Sequence, residues 1–172
     1  MKLSCRLLKM MQANILLIED DRSTASALQK VLQDEGYAVT VAGRGDQGLS
    51  QARQRECDLV ITDLKLPGLS GMELIAQLHS AKPKLPIIMM TAHGTTETAI
   101  EAMKLGACDY LVKPFEADEL LDLAASAVAS SRRMSESVEI GEARSAPRAI
   151  VGKSRVMQNI YKEIGRVAAT PV

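Results

Sequence analysis

Three carboxylates, Glu19, Asp20 and Asp21, follow a short apolar run at 15–18. Thr62 and Asp63 follow a second run at 59–61, Thr91 a third at 87–90, and Lys113 a fourth at 110–112. Carboxylates gathered at one place repel one another and call for a cation. Glu19, Asp20 and Asp63 are hard oxygen ligands of the kind suited to Mg²⁺, which keeps several waters and bridges to phosphate. A carboxylate beside such an ion can attack phosphorus. Lys113 offers a point charge for a phosphoryl oxygen, and Thr91 offers a hydroxyl donor to another. A metal and a lysine together match the spread charge of a phosphoryl-transfer transition state.

Each of these residues also has a plain structural reading. An Asp or Thr after a strand often forms a turn. Lys113 is open to being merely solvated, with Pro114 ending a strand. An acidic cluster ahead of a helix is favoured by the helix dipole. Four of these features at four chain segments of one kind are harder to explain this way, provided that those segments are parallel strands. In open parallel sheets ligands bind outside the carboxyl ends of the strands.

The elements that would do the positioning alternate along the chain. Short apolar runs at 15–18, 39–41, 59–61, 87–90 and 110–112, bounded by turn residues, read as strands buried on both faces. Amphipathic stretches at 23–35, 47–55, 71–80, 95–105 and 117–131 read as helices, with Gly36 and Gly106 as stop signals after the first and fourth. Five strands alternating with five helices predict an α/β fold, a parallel sheet covered on both faces. The run at 39–41 leads only to Ala42-Gly43-Arg44, which suits an edge strand away from the site.

Composition narrows the function classes. Lys plus Arg and Asp plus Glu both total 21 in 172 residues. The charge is nonetheless uneven: residues 1–131 hold 13 basic and 17 acidic side chains, and residues 132–172 hold 8 and 4. An acidic body disfavours nucleic-acid binding driven by bulk charge. With no Trp, three Tyr and one Phe, base-stacking platforms are missing. Cys5, Cys57 and Cys108 form neither a disulfide framework nor a zinc knuckle and fit a reducing cytosol. No apolar run approaches the ~18 residues of a membrane span. Residues 1–12 read as an extension outside the fold. Residues 132–149, rich in Ser, Glu, Arg and Ala, read as a linker that either stands alone or prolongs the fifth helix. Met157, Ile160, Ile164 and Val167 then mark a further amphipathic helix.

Four segments carry a resemblance. They are Ile15-Leu-Leu-Ile-Glu-Asp-Asp21, Asp58-Leu-Val-Ile-Thr-Asp63-Leu-Lys-Leu-Pro67-Gly-Leu-Ser-Gly71, Pro86-Ile-Ile-Met-Met-Thr91-Ala92 and Gly106-Ala-Cys-Asp-Tyr110-Leu-Val-Lys113-Pro114-Phe115. In order across 13–131, they resemble the receiver domain of two-component response regulators. The resemblance implies a receiver/flavodoxin-like (βα)5 fold with strand order 2-1-3-4-5. It implies that Asp63 is the phosphoacceptor, that Asp20 ligates Mg²⁺ directly and Glu19 through water, and that the Lys65 backbone carbonyl completes the metal shell. Family members often have Asp at the position of Glu19. Asp21 is then a variable third acid and no ligand. Thr91 and Tyr110 become the switch pair and Lys113 the phosphate-binding lysine, joined to Pro114 by a cis peptide. Phosphorylation would draw Thr91 inward, let Tyr110 turn behind it, and shift the fourth helix and fifth strand. For Tyr110, plain core packing is the competing reading.

A sensor histidine kinase is the implied donor, and a cytoplasmic location goes with it. A homodimer through the fourth helix, fifth strand and fifth helix, or through a prolonged fifth helix, is the implied assembly. No membrane or nucleic acid is expected to bind this segment. Residues 150–172, opening Ile150-Val-Gly-Lys-Ser154, resemble the start of an AAA+ domain of sigma-54-dependent activators, pointing to the nitrogen-regulatory-protein-C (NtrC) family. Downstream AAA+ and DNA-binding domains follow if the parent chain continues. No G-x-x-x-x-G-K-[ST] phosphate loop occurs, so the chain as given is not expected to hydrolyse ATP.

Three alternatives stand beside this reading. An Asp-nucleophile phosphatase needs an acid two residues after the nucleophile, where this chain has Lys65. A flavin carrier of similar topology needs a phosphate loop after Ile18 and more rings. A standalone receiver would use its tail only to dimerise. Lys65, at the lip of the site, either stays in solvent or reaches the phosphoryl group or the entering water and alters acyl-phosphate lifetime.

Overall fold

The computed structural model describes residues 12–136. The N-terminal extension but for its last residue, most of the linker and the 150–172 segment lie outside them. In chain order the elements are β1 (Asn14–Ile18), α1 (Arg22–Asp34), β2 (Ala38–Ala42), α2 (Gly45–Gln54) and β3 (Leu59–Asp63), then α3 (Gly71–Ala81), β4 (Ile87–Thr91), α4 (Thr96–Leu105), β5 (Asp109–Val112) and α5 (Ala117–Glu136). The five strands form one parallel sheet in the order β2-β1-β3-β4-β5. The expected five-strand, five-helix architecture and strand order are both present, with β2 at an edge.

Alternation within the strands builds two cores. Leu16, Ile18, Val60, Ile87 and Met89 point to one face and pack with Leu49, Ala52, Leu74, Ile75, Leu78, Ala99 and Ala102 of α2, α3 and α4. Their neighbours Ile15, Leu17, Leu59, Ile61, Ile88 and Met90 point to the other face, against Leu32 of α1 and Leu120, Leu123, Ala124 and Val128 of α5. Burial on both faces explains why these strands read as continuous apolar runs. It also fixes the register, because a one-residue slip would exchange the two cores.

Several helix starts follow local chemistry. Asp21 caps α1 by accepting from Thr24 N at 2.7 Å. Ser70 and Glu73 form a reciprocal capping box at the start of α3. By contrast, Arg44 gives α2 no side-chain cap. The helix begins at Gly45, two residues before the expected start, because the Gly45 N–H finds a tertiary partner in Pro67 O at 3.2 Å. At the other end of the chain, α5 continues past 131 to Glu136.

Candidate functional site

Parallel strands bring their carboxyl ends to one rim, so β1, β3, β4 and β5 deliver Glu19, Asp63, Thr91 and Lys113 there. Lys113 joins two of them. Its Nζ donates to Glu19 Oε2 at 2.6 Å and also to Asp63 Oδ2. Glu19 and Asp63 are only 3% and 8% exposed, so each needs this charge partner. The remaining oxygens accept from the backbone: Glu19 Oε1 from Asp21 N at 3.4 Å, and Asp63 Oδ1 from Lys65 N at 2.9 Å. The β5 end is tied to β4 by Lys113 N donating to Thr91 O at 2.7 Å. The Lys113–Pro114 peptide is cis, as the resemblance implied.

Burial raises the Glu19 carboxyl above its usual value, and the Lys113 contact only partly offsets this. Burial works against the Lys113 ammonium too, but its hydrogen bonds to Asp63 and Glu19 more than compensate and raise its pKa. The two carboxylates and the ammonium therefore act as one charged unit.

The other expected residues lie around this unit, and those that touch it do so through their backbone. Thr91 is buried, and its hydroxyl is engaged locally, accepting from His93 N at 3.2 Å and lying 3.4 Å from His93 O. Tyr110 is fully buried among the core residues beneath α4, and its Oη completes no hydrogen bond among the described residues. Burial pushes its phenol up, with the Thr91 side chain pulling the other way. Asp20 and Lys65 are exposed at the lip. Asp21 serves as the α1 cap. Among the described residues no group of three His, Cys, Asp or Glu side chains is drawn together as a metal-ligand set. The carboxylates face Lys113 instead.

Sequence reasoning listed the members of this unit but not its central bond. The types and strand ends were readable; that one lysine would bridge residues 94 and 50 positions away was not. It also passed over the β2–α2 turn, whose Gly45 reaches the loop after Asp63.

Residues 15–125 match the family model described as response regulator receiver domain. The chain is 36% identical over 155 residues to transcriptional regulatory protein ZraR of Salmonella typhimurium, a match covering 90% of this chain and 35% of that protein. A receiver-domain structure from Clostridium thermocellum superposes with a TM-score of 0.63 at 32% identity, covering 73% of this chain and 98% of that one. NtrX from Brucella abortus superposes with a TM-score of 0.70 at 33% identity, covering 93% of this chain and 35% of that one. The chain thus spans about a third of the length of ZraR and of NtrX.

Proposed function

This chain belongs to the response regulator receiver family, and on that premise we propose that it accepts a phosphoryl group from a sensor histidine kinase on Asp63. The choice between the two bridged carboxylates rests on place: Asp63 ends the central strand β3, with Lys113 on one oxygen and the Lys65 amide on the other, whereas Glu19, held likewise by Lys113 and the Asp21 amide, has its carboxyl raised by burial. Those two donors orient the carboxylate and supply positive charge beside it.

The donor set fits Mg²⁺. Glu19 and Asp63 lie close enough to share one ammonium, so they can share a cation. Asp20, exposed beside Glu19, and the Lys65 carbonyl, two residues past Asp63, would add further oxygen donors of the kind Mg²⁺ takes. Held there, Mg²⁺ would supply positive charge for the phosphate oxygens. This chain's own groups do the rest. Lys113 exchanges a carboxylate contact for a phosphoryl oxygen, and Thr91 turns from His93 to donate to another. Tyr110 already lies buried close to the Thr91 side chain, so its hydroxyl is placed to follow Thr91 when that turns. Lys65 at the lip modulates hydrolysis of the acyl phosphate, so Lys65→Ala should alter the dephosphorylation rate. An unchanged rate removes Lys65 from the site's chemistry.

The tail supports an output reading. The match to ZraR runs over 155 residues, more than the receiver segment 15–125 provides. We read residues 150–172 as the opening of a sigma-54-activator AAA+ unit and the receiver as its regulator, in a cytoplasmic, dimerising, NtrC-type transcription regulator.

The test is labelling with a small phosphodonor such as phosphoramidate and Mg²⁺. The chain should gain one phosphoryl group, and Asp63→Asn should gain none. Undiminished labelling of Asp63→Asn would move the nucleophile elsewhere.

A further inference from the structure

The loop 64–70 leaves the end of β3 directly after Asp63. Its base is closed by Gly71 N donating to Leu64 O at 2.9 Å, and Leu64 N donates to Met90 O at 2.8 Å. Its first N–H groups thus fix the Asp63 carboxylate and the strand end. Its apex, however, is exposed at Pro67 and Gly68 and is held from outside the loop.

The holding element is the β2–α2 turn. Gly45 N donates to Pro67 O at 3.2 Å. The approach is so close that a Cβ on Gly45 would lie 1.8 Å from Leu69 O. Gly68 adopts φ +84°, and a Cβ there would lie 2.7 Å from Asp46 Oδ1 and 2.8 Å from Arg44 Nη2. Arg44 and Asp46 are themselves paired, with Nε to Oδ1 at 2.9 Å and Nη2 to Oδ2 at 3.3 Å. As a half-exposed ion pair this contributes little by itself. Its position matters more: the paired groups fill the space a Gly68 side chain would need, so the loop backbone packs directly against them. Two side-chain-free positions therefore interlock across two elements. A loop closed at its base and pinned at its apex transmits a displacement of the pin to Lys65 and Asp63.

We propose that Arg44-Gly45-Asp46 is a clamp that positions the loop after Asp63 for phosphoryl transfer, with Gly45 as its positioning residue. This rests on the reading of Asp63 as phosphoacceptor. The clamp couples the start of α2 to the reaction, although neither Gly45 nor its neighbours touches the reacting carboxylate. Small misplacements near a reacting centre cost rate steeply.

The test uses the whole 172-residue chain with phosphoramidate and Mg²⁺. Gly45→Ala should slow phosphorylation by about tenfold and shift the Lys65 amide resonance. Arg44→Ala with Asp46→Ala, which adds no atom to the fold, should slow it less but measurably. Gly36→Ala, at φ +91° in open space, should lose stability yet keep the wild-type rate. Wild-type rates in both clamp variants, or equal slowing in Gly36→Ala, overturn the clamp, while wild-type labelling that Asp63→Asn abolishes upholds Asp63. If Gly45→Ala fails to fold, the double variant decides alone. Absence of labelling in the wild type overturns both readings.

Discussion

Lys113 bridges two nearly buried carboxylates at once, so its loss leaves each with only a backbone N–H donor and no opposite charge. Removing one partner of a buried ion pair costs about 3–5 kcal/mol. Lys113→Met should therefore destabilise the metal-free chain by about that much at neutral pH, measured by urea unfolding. The sign of its pH dependence follows from Glu19. Burial already raises that carboxyl, and removal of Lys113 raises it further. A group whose folded pKa lies above its unfolded value loses stability as pH rises between the two. The variant's deficit should thus be small in acid, where Glu19 is protonated, and grow towards neutrality. A deficit that stays constant with pH would mean that Lys113 acts by packing alone. The Lys65→Ala dephosphorylation rate belongs to this scale as well, since its exposed side chain is free of structural duty among the described contacts.

At the scale of elements, most of the fold was legible because each strand is apolar on both faces and each helix on one. Ile15 and Leu16 face opposite cores, so periodicity alone could not say which face each served, yet the run itself marked a buried parallel strand. The rim residues followed from strand ends. Tertiary bonds were not legible. Lys82 Nζ donates to Ala52 O at 2.6 Å and Arg55 O at 3.1 Å, closing the end of α2 from 27 to 30 residues away. The start of α2 was misplaced for the same reason, since its cap comes from Pro67 O. The lead-in to β5 carries a further consequence. Cys108, packed against the α1–α5 core, has its thiol pushed up to about 12 by burial and then by Asp109. Its folded pKa lies above the ordinary thiol value, so stability is intact below that value and falls as pH rises towards 12. Cys108→Ala should flatten the decline in unfolding free energy above about pH 9. An identical slope in both proteins would contradict the buried thiol's contribution.

At the scale of the whole molecule, the acidic receiver and the basic stretch from 132 onward carry opposite net charge, and α5 leads directly from one into the other as far as Glu136. The proposed switch at β4 and β5 would reach the tail through α5, which shares a core with Leu111. Sedimentation velocity with and without a stable phosphoryl mimic should show a change in self-association, and Asp63→Asn should show none. Equal behaviour with and without the mimic would detach assembly from the switch. The identity of the modified residue bears on every scale at once. After Mg²⁺-dependent reaction with phosphoramidate, peptide mapping should locate the phosphoryl group on the peptide containing Asp63 and on that residue within it; its location on Glu19, Asp20 or any other side chain would contradict the assignment.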